Sequence, residues 1–199
     1  MPVLESKLDI RSEVFQTNKS DMIETLAQLQ GLYDEAAEGG GEEAVARIRK
    51  RGKMPIRERI SHVLDQDSPF LEISPLAAWR SSYDIGSGFV VGIGVIEGVE
   101  CVILGHDPSV RAGAFNPFNS KKLMRGLEIA RENRMPYVQF VESAGADLRG
   151  ASGDSKGDPN AEAEAALQRE VDHFAESGRL FYEISELSKM RIPTVSVIF

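Results

Sequence analysis

Two groups of residues in this sequence have the types and spacing for chemistry. The first is Ser143-Ala144-Gly145-Ala146-Asp147. It follows Tyr137 to Val141, a β-branched and aromatic run that fits a parallel strand covered on both faces. Small residues let backbone amides approach a ligand, and ligands in open α/β sheets sit at the carboxyl ends of strands. The same residues also suit a plain tight turn. Asp147 and Ser143 are expected to fix this loop, since a loop carboxylate of ordinary pKa is a poor base near pH 7.

The second group is cationic: Arg111, Lys121, Lys122 and Arg125. A helix is predicted over KKLMRGLEIARENR, capped by Asn119 or Ser120. Its dipole disfavours cations in the first turns by about 0.3–1 kcal/mol each. They make better sense facing an external anion, and a phosphate is the candidate. The connection HDPSVRAGAFNPFNSKK, long, polar and at the carboxyl end of a strand ending at Gly105, is the second candidate ligand loop.

Other residues carry less. Gly92 and Gly94 lie inside strands, so they fit close backbone approach and not a dinucleotide fingerprint. The basic cluster Arg47–Arg59 reads either as a phosphate grip or as a solvated face with dipole-matched ends. His173, one residue before Phe174, fits a surface or packing role. Val141-Glu142-Ser143-Ala144-Gly145 lacks the first glycine of a nucleophile elbow, which disfavours a serine hydrolase. Cys101, the one cysteine, sits in an apolar strand as a buried thiol, so neither an intrachain disulfide nor a cysteine metal site is expected.

Composition narrows the classes. A net charge of −8 over 199 residues argues against a general nucleic-acid binder. No apolar run reaches the ~18 residues of a membrane span, because Gly98 and Glu100 interrupt the longest. The start, MPVLESKLDIRSEVF, has early acids and no apolar core, unlike a secretory signal. The cytoplasm is expected, or the mitochondrial matrix in a eukaryote, although no transit peptide is visible.

The elements that must position these groups can be read in order. Residues 1–19 are polar and without period. A helix is expected from Ser20 or Asp21, with Glu24 completing a capping box and Met22, Leu26, Leu29 and Tyr33 on one stripe. Gly39-Gly40-Gly41 ends it as a hinge, which makes 1–41 an N-terminal helical arm and 42–199 the body. A second helix spans about Glu42 to Arg51. In the third, from Pro55, the apolar stripe is Ile56, Ile60, Val63 and Leu64, with Arg57, Glu58, Arg59 and His62 outside. PFLEISPL reads as a short strand, and Trp79 and Tyr83 as packing residues. GFVVGIGVIEGVECVILG is a hairpin turning at Glu97-Gly98.

A long helical region is expected from Asn160 to about Arg191, with a break at Gly178. ARENRMPYVQFVE and LSKMRIPTVSVIF both pass from helix through Arg-x-Pro into a strand. With the strand at 99–105 this gives β-α-β-α-β, whose crossovers lay three strands parallel. The class is α/β. The last strand lacks a following loop, so an incomplete domain is expected.

MPIRERISHVLD, SPFLEISPLA and GIGVIEGVECVILGHDPSVRAGAFNPFNSKKLMRGLEIARENRMPYVQFVESAGADL, in that order, resemble the carboxyltransferase (β) subunit of biotin-dependent acyl-CoA carboxylases. VDHFAESGRLFYEI and the Lys121-Lys122 pair are most similar to the methylcrotonyl-CoA and geranyl-CoA branch. The resemblance covers roughly residues 45–199. It implies a crotonase-like (ClpP/crotonase) fold, of which this chain holds the front part of the first of two domains. The 151–170 stretch, GASGDSKGDPNAEAEAALQR, departs from the shorter linker of relatives.

The resemblance also implies acyl-CoA as substrate and carboxybiotin as co-substrate, carried on a biotin carboxylase/biotin carboxyl carrier partner. No cofactor is bound directly. The family assembles as ring-like homo-oligomers, with a hexamer expected. Its chemistry uses two oxyanion holes of backbone amides, each worth about 3–4 kcal/mol; the Gly-Gly-Ala loop of one would follow Phe199. On this reading Gly145, Ala146 and Asp147 line the thioester region, and Arg111, Lys121, Lys122 and Arg125 include a contact to CoA phosphate. Two alternatives stand beside it: an acyl-CoA decarboxylase subunit of the same fold, and a non-catalytic CoA-binding scaffold.

Overall fold

The computed structural model describes residues 6, 8–147 and 178–199. Its centre is one five-stranded sheet in the order β1-β2-β3-β4-β5. The strands are β1 (Leu71–Glu72), β2 (Phe89–Ile96), β3 (Val99–His106), β4 (Tyr137–Val141) and β5 (Thr194–Ile198). β1, β2 and β3 pair antiparallel, whereas β3, β4 and β5 run parallel. The α/β class, the hairpin and the three parallel strands are as expected from the sequence.

The hairpin turns at Glu97 and Gly98, both at positive φ. The Asp65 carboxylate accepts from both of their backbone N–H groups at 2.7 Å, so the turn's free donors are satisfied from outside the sheet. Gly92, Gly94 and Gly105 give one face of β2 and β3 its shape. A Cβ on any of them would lie 2.3 Å from Phe70, Leu64 or Ile56 respectively. These glycines let α3 (Ile56–Val63) and the loop behind it seat directly on the sheet. Ile56, Ile60, Val90, Cys101, Ile103 and Phe140 form the core there, and burial raises the Cys101 pKa.

The opposite face carries α4 (Pro117–Asn133) and a helical segment α5 over residues 178–189. Leu123, Leu127 and Ala130 of α4 meet Val91, Val102, Leu104 and Tyr137 there, joined by Leu187. The helix expected from Asn160 falls partly outside the described residues, and His173 lies outside them.

α4 starts earlier than the sequence implied. Asn116 is the N-cap; its side chain accepts from the N–H groups of Phe118 and Asn119, and Asn119 reciprocates toward the Asn116 backbone. Pro117 occupies the first turn, which it suits. Both buried asparagines also donate to the Ser87 carbonyl at 3.0 Å. Lys121 and Lys122 therefore lie beyond the first turn, where the helix dipole, which falls off within that turn, no longer calls for an external anion.

The N-terminal helix also starts earlier. α1 spans Glu13–Glu38, with the Ser12 side chain accepting from Phe15 N–H, so residues 13–19 continue the helix. Val14, Met22, Ile23 and Leu26 are exposed, while Ala36 near its end is buried. α2 follows over Glu42–Lys50. Gly39-Gly40-Gly41, expected as a hinge, has a different use at its first two positions. A Cβ on Gly40 would lie 2.0 Å from the Ser109 carbonyl oxygen, so glycine serves close approach to the body.

Candidate functional site

The loops leaving β3 and β4 at their carboxyl ends are fused by backbone bonds. Phe115 N–H donates to Gly145 O at 2.8 Å, Asp147 N–H to Phe115 O at 2.8 Å, and Ala144 N–H to Ala112 O at 3.0 Å. The two segments thus form a short extension of the parallel ladder, paired at Phe115 and Ala146. Arg111, Ala112 and Gly113 all have positive φ, and a Cβ on Gly113 would lie 2.1 Å from the Glu142 carbonyl oxygen. Two consecutive non-glycine residues held there store strain of order 1–3 kcal/mol each, which the surrounding bonds must offset.

Arg111 secures the fusion. It donates to the Asp147 carboxylate at 3.0 Å, to Asp84 at 3.3 Å and to the Ser82 carbonyl at 3.3 Å. Its guanidinium lies 4.6 Å from the centre of the Tyr83 ring. The tertiary structure therefore brings Gly145, Ala146, Asp147 and Arg111 together. Arg111 is engaged by carboxylates at this point, and Asp147 acts as its partner in the loop.

The other cations are divided. Lys121 and Arg125 line a cavity of about 280 Å³ with Arg179, beside Leu123, Met124 and Phe115. Phe115 belongs to both places, so this cationic, partly apolar cavity abuts the fused loops. Arg125 pairs with Glu128 at 2.5 Å, and Lys121 remains on the rim. Lys122 turns the other way, into the body. It donates to the Phe89 carbonyl at 2.7 Å and lies 3.7 Å from Glu72, and burial lowers its pKa to about 8. Helical geometry separates adjacent residues by about 100°, which is why Lys121 and Lys122 cannot share a face.

The basic cluster Arg47–Arg59 meets carboxylates that its local pattern does not reveal. Arg59 was expected outside its helix but is buried, and it lies 2.7 Å from Glu142 at the end of β4. Its spacing gave the signal, since Arg59 is three residues after Ile56 and four before Val63. Lys53 also donates to Glu142, at 2.7 Å. Burial opposes ionisation of Glu142, but Lys53 and Arg59 outweigh it and hold the carboxyl below its ordinary range. Arg49 pairs with Glu58, and Arg57 donates to Glu72 at 2.6 Å. Arg49, Lys53, Arg57 and Arg59 of the basic run are thus tied into ion pairs of the body.

His106 ends β3 beneath the loops, stacked on Phe89 at 4.2 Å and edge-on to Phe115 at 5.3 Å. Burial lowers its pKa to about 4, against a hydrogen bond to the Gly113 backbone. It is a neutral packing residue near pH 7. Tyr83 packs as expected, whereas Trp79 is exposed and carries Arg80 over its ring at 4.4 Å. Among the described residues no group of three His, Cys, Asp or Glu could hold a metal ion, and no helix is long and apolar enough to cross a membrane.

A profile for the carboxyl transferase domain matches residues 47–199, most of the chain and all of the sheet. The chain belongs to the carboxyl transferase domain family. It is 38% identical over 197 residues to a protein of Mycobacterium tuberculosis described as a probable biotin-dependent acyl-coenzyme A carboxylase beta2 subunit, covering 99% of this chain and 34% of that one. It is 36% identical over 199 residues to the mitochondrial methylcrotonoyl-CoA carboxylase beta chain of Dictyostelium discoideum, covering 98% and 31%. The crystal structure of the beta subunit of Pseudomonas aeruginosa geranyl-CoA carboxylase superposes with a TM-score of 0.79 at 32% identity, covering 98% of this chain and 34% of that one. The family and branch expected from the residues, and the crotonase-like fold, are borne out. The chain spans about a third of the length of the relatives it matches.

Proposed function

We propose that this chain is part of the carboxyltransferase component of a biotin-dependent acyl-CoA carboxylase, which moves a carboxyl group from carboxybiotin on a partner protein to an acyl-CoA. The observation that carries the reading is membership of the carboxyl transferase domain family across residues 47–199, around loops fused at the carboxyl ends of parallel strands. Gly145, Ala146 and Asp147 are assigned to the thioester region. The opening at Gly145 supports this, because among the described residues nothing lies within 4 Å of where a Cβ would be.

Lys121 and Arg125 are assigned to CoA phosphate, with Arg111 supporting the loops from behind and Lys122 set against Phe89 and Glu72 in the body. A cationic rim beside Leu123, Met124 and Phe115 offers an acyl-CoA both an anion partner and an apolar wall. The exposed apolar residues of α1 support packing against another subunit of a homo-oligomer. The compartment is that of the biotin-carrying partner: the cytoplasm, or the mitochondrial matrix in a eukaryote.

The test uses the full-length subunit with its biotin-carrying partner. Lys121→Gln with Arg125→Gln should raise the KM for acyl-CoA about tenfold, the equivalent of one lost charge-assisted hydrogen bond. An unchanged KM would make this rim structural. A full-length subunit that carboxylates no acyl-CoA in the presence of carboxybiotin would overturn the function itself.

A further inference from the structure

The end of α1 is bound to the loop that follows β3, far from it in sequence. Gly40 N–H donates to Ser109 Oγ at 2.9 Å, and that hydroxyl donates onward to the Asp107 carboxylate at 2.5 Å. The same carboxylate accepts from Ser109 N–H at 2.9 Å. Contact is close on both sides: a Cβ on Gly39 would lie 2.5 Å from Asp107 Oδ2, and one on Gly40 2.0 Å from Ser109 O. Gly41 differs, with positive φ and, among the described residues, nothing within 4 Å of where its Cβ would be.

One turn earlier, the Ala36 carbonyl accepts from Arg57 at 3.4 Å, and Ala36 is buried. Two anchors therefore hold the last turn of α1 while its first turns stay exposed. Ser109 is two residues before Arg111, so the contact meets the loop immediately upstream of the strained turn and its bond to Ala144.

We propose that Gly40 and Ser109 form a latch that positions the acyl-CoA loop, making the end of the N-terminal helix a support of the site. The latch rests on the acyl-CoA assignment above for its ligand but not for its existence. Both are positioning residues: neither is among the residues assigned to the ligand. Their contact limits where the Asp107–Gly113 segment can lie, and that segment carries Arg111 to Asp147.

Four variants of the full-length subunit separate the latch from general stability. Gly40→Ala forces its methyl group against the Ser109 carbonyl. Ser109→Ala removes the hydroxyl with no clash, and Ser109→Thr restores a hydroxyl. Gly41→Ala, strained but clear of the loop, is the control. Hydrogen exchange at the amides of Gly113, Phe115 and Ala144, with acyl-CoA KM and kcat, gives the readout. Gly40→Ala and Ser109→Ala should accelerate exchange at those amides and raise KM about three- to tenfold, with kcat changed less than about twofold. Ser109→Thr should recover most of the KM, and Gly41→Ala should leave both readouts near wild type.

Unchanged exchange in both Gly40→Ala and Ser109→Ala would overturn the latch. Faster exchange with unchanged KM would overturn its role in acyl-CoA positioning. If the wild-type subunit binds no acyl-CoA, the function fails, and exchange alone still decides whether the latch exists.

Discussion

Arg111 donates to Asp147 at 3.0 Å across a sequence separation of 36 residues, joining the loops behind two adjacent parallel strands. The Asp147 carboxylate is almost wholly buried and Arg111 is partly exposed, so the carboxylate depends more on the contact. Arg111→Met should destabilise the fold by about 2 kcal/mol, since hydrogen bonds to charged groups contribute about 1.5–3 kcal/mol. Urea unfolding of the full-length subunit measures this. A change below about 0.5 kcal/mol would show that the loops hold each other without the clamp.

The Gly113 contact gives a sharper steric test. Gly113→Ala sets a methyl group against the Glu142 carbonyl at a positive φ. We expect a loss of about 1–3 kcal/mol from overpacking, added to about 1–2 kcal/mol for the left-handed backbone. Gly98→Ala, also at positive φ but in open space, should cost only the backbone part. Equal losses in the two variants would dismiss the close approach.

His106 sets a pH dependence. Its pKa falls from 6.5 to about 4 on folding, chiefly through burial. The unfolded chain thus binds the proton more readily. The associated stability is fully present above pH 6.5 and is lost as the pH falls toward 4, amounting to about 3 kcal/mol at most. His106→Leu should flatten the stability curve in that window, as followed by thermal unfolding at several pH values. An unaltered slope would place the acid sensitivity elsewhere.

The buried Lys122 makes Glu72 necessary. Arg57 and Lys122 both converge on that carboxylate, and Lys122 has almost no exposed surface. Glu72→Gln leaves two cations facing each other and should cost about 3 kcal/mol, as breaking buried pairs does. Adding Lys122→Met should recover much of this, a non-additivity that a double-mutant cycle reads directly. Strictly additive losses would mean the two do not interact.

The exposed stripe of α1 should serve assembly. Met22→Glu with Leu26→Glu leaves the buried Ala36 and both anchors intact. The oligomer of the full-length subunit should weaken in light scattering while the melting temperature stays within a few degrees. A lower melting temperature with an unchanged oligomer would assign the stripe to the subunit's own core.

Local pattern by itself determined the elements of this protein and their class. Period-2 runs at 89–105, the repeated Arg-x-Pro entry into strands, and apolar spacing in α3 and α4 dictate β-α-β pairing, because each side-chain period fits only one backbone geometry. Motif order then specified the family. Helix ends were less legible at Ser12 and Asn116, where a cap is selected by which side chain reaches a free N–H, and several candidates lie within a few residues.

Only the tertiary structure decided which charges line a cavity and which face the body. Lys121 and Lys122 are chemically alike and adjacent, yet one lines a cavity and the other is buried against Phe89 and Glu72. Arg59 looks like its exposed neighbours until β4 delivers Glu142 beside it. Gly39 and Gly40 have the composition of a hinge, and their role follows from Asp107 and Ser109, which the fold brings to them. A side chain's local pattern encodes its direction, but its partners come from segments tens of residues away, and the energy of a buried charge or a missing Cβ is set by those partners.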